Sequence, residues 1–199
     1  MSPDTAAIQL AAWIQQNYRY ASLDGLTHLK LQKLAFYCYG AAMADDADAA
    51  LPGIVFEPWE HGPVQRSIYQ TYRSFGSGPI APARQTPVQL PSEIERPMRD
   101  ALDVYGVLRP WSLRQQSHLE EVWIDARASA RQTIDPDAMR SFFKRKLQAG
   151  RVEWPEYLLG GSSMRLDGVP IFAYRTLGEL ADTVRGWEVE RHGGTRGTL

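Results

Sequence analysis

The sequence predicts a mainly α-helical protein: a compact multi-helix domain over residues 1–150, with one or two short β-strands near Phe56. Residues 151–199 are expected to form a small extension, a strand followed by a helix and a frayed tail. Three observations lead there. Apolar residues recur at helical spacing through most of the first 150 positions, whereas only Ile54-Val55-Phe56 and Val169-Pro170-Ile171-Phe172-Ala173-Tyr174 read as strands. Glycine- and proline-rich breaks separate the helical stretches. The composition, 44% hydrophobic and 23% charged, can fill a core and excludes a disordered chain.

The elements follow in order. Asp4 or Thr5 is placed to cap a first helix carrying Ile8, Ala11, Ala12, Trp13, Ile14 and Tyr18. Ser22-Leu23-Asp24-Gly25 breaks it as a turn, and Thr27 caps a second helix. Leu31, Leu34, Ala35, Cys38 and Ala42 make one stripe of that helix. Phe36, Tyr37 and Tyr39 add bulk on other sides, so it is expected at the centre with neighbours all round. Asp45, Asp46 and Asp48 oppose a helix dipole and are read as lying beyond its C-terminus. Pro58 offers no ladder donor, and Gly62-Pro63 is a turn or the start of a helix carrying Val64, Ile68, Tyr72 and Phe75. The prolines of residues 79–91 mark a surface loop. Ser92 with Glu95 reads as a capping box for a helix running to Leu108, with Pro97 as a blemish. A further helix is expected from Ser112 towards Trp123 or beyond. Asp135-Pro136 opens the next, with Met139, Phe142, Phe143 and Leu147 on its apolar face. Leu177, Leu180 and Val184 close the pattern with a short helix in the extension.

Charge excludes a strong non-specific field. The formal net charge is −1, so no nucleic-acid or anionic-membrane partner is expected. The balance is uneven, about −4 over residues 1–60 and +4 over 61–150, which can orient a partner without naming one. A lone cysteine, Cys38, cannot pair within the chain and is read as a buried hydrophobe. The opening Met1-Ser2-Pro3-Asp4-Thr5 has neither the basic nor the apolar region of a secretory signal, and no stretch approaches a membrane span; the expected location is cytoplasmic.

Three ordered blocks carry a resemblance. They are Leu31-Gln32-Lys33-Leu34-Ala35-Phe36-Tyr37, then Trp59-Glu60-His61-Gly62-Pro63-Val64 with Ile68-Tyr69 and Tyr72-Arg73-Ser74-Phe75-Gly76, and finally Leu113, Ser117-His118, Trp123 and Ala126. Together they resemble the Panacea (SocA-like) antitoxin domain over about residues 8–147. Pro58 and Val122 depart from the pattern, which has a small residue and a proline at those places. The resemblance implies an antitoxin of a bacterial toxin–antitoxin pair, a non-enzyme that neutralises a cognate protein toxin by direct contact. It also implies a proteolytic adaptor that delivers the toxin to an ATP-dependent protease, for which a tail over residues 188–199 would serve as tether. It carries over no catalytic, cofactor-binding or metal-binding residue.

The residues themselves offer little for catalysis. There is no nucleophile elbow or zincin helix, and Gly160-Gly161-Ser162-Ser163 lacks the lysine of a phosphate loop. His28, His61, His118 and His192 are dispersed, so neither metal nor cofactor is expected, and His118 is read as a partly buried ring bonded to a helix end. Lys144-Arg145-Lys146 is read as a solvated helix face. A small-molecule hydrolase or transferase using His61 and His118 stands as the remaining alternative. Trp59, on a proline-flanked loop, is either a rigid contact anchor or a filler between strand and helices. The candidate partner-binding residues are Trp59, Glu60, His61 and Tyr69, with Ile171, Phe172 and Tyr174 in the extension.

Overall fold

A computed structural model describes residues 1–19, 25–81, 87–148, 165–166 and 169–170. In chain order they form α1 (Pro3–Asn17), α2 (His28–Ala44), β1 (Glu57–Trp59), β2 (Gly62–Val64), α3 (Arg66–Tyr72), α4 (Ser92–Gly106), α5 (Pro110–Ser117), α6 (Glu121–Ala128), α7 (Pro136–Gln148), β3 (Arg165–Leu166) and β4 (Val169–Pro170). Among the described residues the fold is mainly helical, as the periodicity predicts. No helix among them is long and apolar enough to cross a membrane.

Helix α2 is the axle. Thr27 caps it by accepting the Lys30 amide, and every residue from Lys30 to Met43 is buried. Packed around it are α1, α3, α4, α5, α7 and β2. A helix apolar on one side could not bury itself this way; α2 can because Phe36, Tyr37 and Tyr39 extend its apolar surface round the cylinder. The Phe36 ring meets Phe56 and Phe143 edge-on at 5.5 and 5.2 Å, and Tyr37 stacks on Tyr105 of α4 at 3.8 Å. Gly40 makes the fit possible, since a Cβ there would lie 2.2 Å from the Phe143 ring. Cys38 is fully buried, and burial, followed by the charge of Asp103, pushes its thiol far above the ordinary value. Beyond the end of α2, Arg140 bridges Asp46 and Asp48 while Lys144 holds Asp46, so the acidic turn is neutralised from α7.

Several expectations are corrected. Ser2, not Asp4 or Thr5, caps α1 through its Oγ. The strand lies three residues later than Ile54-Val55-Phe56, and Val64 belongs to β2 instead of to α3. Phe75 leaves the helical stripe and is exposed. No capping box forms at α4: Glu95 reaches across the fold to accept from Trp13 Nε1 at 3.0 Å, and Pro97 sits inside the helix. The helix foreseen from Ser112 to Trp123 is two helices, broken at His118-Leu119-Glu120. The break lets Glu120, 3% exposed, enter the core. There its Oε1 accepts from Tyr37 Oη and Gln116 Nε2, and both its oxygens accept from Lys146 Nζ. That pairing also corrects the solvated reading of Lys144-Arg145-Lys146, since Lys146 is drawn inside and Arg145 pairs with Glu121.

In the extension, β3 pairs with β4 in an antiparallel register. Ile171, Phe172, Tyr174, the glycine-serine stretch and the last expected helix lie outside the described residues.

Candidate functional site: an anchored hairpin beside helix α5

Strands β1 and β2 form a hairpin with Glu60-His61 as its two-residue loop. The sequence reads Pro58 and Pro63 as breakers, yet the register explains both. Trp59 and Gly62 flank the loop and form the hydrogen-bonded pair, so the next pair, Pro58 opposite Pro63, is a non-bonded one whose nitrogens face away from the partner strand. Gly62 has φ +93°, a backbone region that disfavours side chains, and a Cβ there would meet Ser117 Oγ at 2.4 Å and Lys33 Nζ at 2.8 Å.

The hairpin is held from beneath through its main chain. Lys33 Nζ donates to the Pro63 carbonyl at 2.9 Å, Trp123 Nε1 to that of Trp59 at 3.1 Å, and Arg127 Nη1 to that of Pro58 at 3.3 Å. Gln32 clasps Gln65 on both sides, accepting its amide at 2.8 Å and donating to its carbonyl at 3.3 Å. The Gln65 side chain then caps α3 by accepting the Ile68 amide. Of these anchors Lys33 and Gln32 are buried, at 0% and 2% exposed, Trp123 is half-buried and Arg127 lies at the surface.

The expected contact residues separate by environment. Glu60 and His61 are exposed at the loop. Trp59 is half-buried: its indole donates to Glu57 and its ring lies 4.7 Å from Tyr69, which continues to His28 at 5.1 Å. Arg66 closes this side with two hydrogen bonds to Glu57, holding that carboxyl below the usual range against the opposing effect of its burial. Trp59 thus fills space and retains an exposed portion, and Tyr69 is half-buried behind it.

Sequence reasoning missed the other half of this face. Trp111 on α5 is 60% exposed, the most exposed large apolar side chain among the described residues. The Arg114 guanidinium lies over its ring at 4.5 Å and donates through Nε to His61 Nδ1 at 3.3 Å, joining α5 to the loop. A Trp-x-x-Arg spacing on a short helix was the available signal. Lys33 was equally visible, as a polar pair with Gln32 inside an otherwise apolar helix.

Electrostatically the underside of the hairpin is one-signed. Burial lowers Lys33 to about 7, and the positive charge of Arg114 pushes the same way. His118, stacked on Trp123 at 4.2 Å, is lowered to about 4 by burial and then by Arg114, Lys33 and His61. Its ring bonds the Glu60 main chain, not a helix end, and its Nε2 is buried without a hydrogen-bond partner among the described residues. His28 is lowered by burial and by Lys33. Among the described residues no three His, Cys, Asp or Glu side chains converge as a metal site. Comparison with protein-family models, with curated proteins and with solved structures finds no match for this chain.

Proposed function

We propose that the chain is a cytoplasmic antitoxin that holds a protein toxin through the face formed by the Glu60-His61 loop and the exposed side of α5. The resemblance of its three sequence blocks to the Panacea domain supports this reading. The observation that carries it is the rigid presentation of a small aromatic and basic patch. Aromatics and arginine dominate binding hot spots, and groups fixed before association lose less entropy on binding. Here the hairpin is tied down through its main chain by Lys33, Trp123 and Arg127, and Trp111 is exposed yet restrained by Arg114. A stable complex would bury at least about 1,000 Å², so the patch is the centre of a larger footprint. Delivery to a protease draws on a tail outside the described residues, and no structural observation favours it.

The test is co-production with the product of the neighbouring reading frame. That product alone is expected to stop growth, and co-production with the full chain to restore it, the two proteins purifying together. His61→Ala combined with Trp111→Ala should abolish co-purification while leaving the melting temperature within a few degrees of wild type. A neighbouring product that is harmless alone, or that does not associate, overturns the reading.

A further inference from the structure

We propose that the guanidinium of Arg114, held between His61 and Trp111, receives a carboxylate side chain of the partner protein; the inference rests on the partner-binding reading above. Arg66, Arg99, Arg140 and Arg145 each meet a carboxylate within the chain. Arg114 meets none among the described residues: its neighbours there are an indole face, a histidine nitrogen and the amide oxygen of Gln115, which accepts from Nη1 at 3.2 Å. Of the five N–H groups of a guanidinium, Nε and one on Nη1 are thereby used. The pair on Nη2 and the second on Nη1 have no acceptor among the described residues. Those hydrogens form the fork that a carboxylate engages bidentately.

The surroundings favour the same ligand. Lys33 and His118 lie close enough to Arg114 for its charge to act on both, and among the described residues Lys33 has no carboxylate partner of its own. A negative group arriving at Arg114 would offset its charge and favour the protonated form of Lys33. Trp111 stacks on the guanidinium and would shield the new pair from water, strengthening it. A protein carboxylate fits better than a phosphate backbone, because one oriented fork on a chain of net charge −1 lacks the row of cations that nucleic acid needs.

The experiment measures affinity between the full chain and the neighbouring gene product by calorimetric titration. Arg114→Glu is expected to weaken binding by about 100-fold, and Arg114→Lys, which keeps the charge and loses the fork, by about tenfold. Circular dichroism should show both variants folded. A single Asp→Lys or Glu→Lys exchange in the partner should then recover most of the affinity lost in Arg114→Glu. A wild-type complex that Arg114→Glu leaves within threefold overturns this inference alone, as does a failure of every partner exchange to restore binding. Absence of any wild-type complex removes the partner-binding reading with it. Binding of a 30-base-pair DNA duplex that depends on Arg114 would assign the fork to phosphate and overturn the carboxylate.

Discussion

Two glycines notch the surface that packs on and around α2, and what fills each notch differs. Gly40 faces away from water and admits the Phe143 ring. Gly62 sits in the hairpin and admits a buried ammonium and a hydroxyl, Lys33 Nζ and Ser117 Oγ. Both are close approaches that a methyl group would block. The first adds dispersion and removes apolar surface from water, a net gain for folding. The second strips water from a lysine, a cost that its single bond to Pro63 only partly offsets. One end of the fold is arranged for stability. The other gives up stability to fix a loop in space.

Truncating the dry notch should have the largest effect. Phe143→Ala removes a 2% exposed ring that touches Phe36, Tyr37 and Phe142, and is expected to cost about 3–5 kcal/mol in denaturant unfolding. A loss below about 1 kcal/mol would show that the core closes over the missing ring at little cost. Gly62→Ala should cost about 2–3 kcal/mol, from the strained φ and the displaced Ser117 hydroxyl. It should also weaken partner binding, which Phe143→Ala should leave intact wherever the protein remains folded.

Lys33→Met gives the smallest and most diagnostic effect. Lys33 is lowered from 10.5 to about 7 in the folded protein. Between those values the unfolded chain holds a proton that the folded one does not, so stability rises with pH across the window. Above pH 9 to 10 the sign turns, because Cys38, Tyr37 and Tyr105 keep protons that the unfolded chain releases. Wild type should therefore gain on the order of 2 kcal/mol from pH 7 to pH 9, whereas Lys33→Met should be nearly flat. Equal slopes in the two proteins would show that Lys33 is not the titrating group.

The dry region was the more legible of the two in the sequence. Thr27, the all-round apolar surface of α2, and Asp135, whose carboxylate accepts the Ala138 amide, all speak through local spacing. The misreadings have a common cause, a distant group overriding a local signal. Glu95 belongs to a capping box by spacing, yet Trp13, 82 residues away, takes it. No glycine or proline marks the break after Ser117; the attraction of Glu120 to Tyr37 and Lys146 makes it. The hairpin hid behind its own prolines, because only the register reveals that their missing N–H groups cost nothing. Of the site, Trp59, Glu60, His61 and Tyr69 were found as one block. Trp111 and Arg114, about fifty residues on, required the fold to bring them alongside.

The anchors of the hairpin carry one more implication. Lys33, Trp123 and Arg127 each grasp a peptide oxygen, and no tip side chain takes part in those three bonds. Apart from the link of His61 to Arg114, the side chains at 60 and 61 are therefore free to change without loosening the scaffold, like bits in a fixed chuck. A lineage of such proteins could be rekeyed to new targets by exchanging those two amino acids and their neighbour on α5, with the framework inherited unaltered.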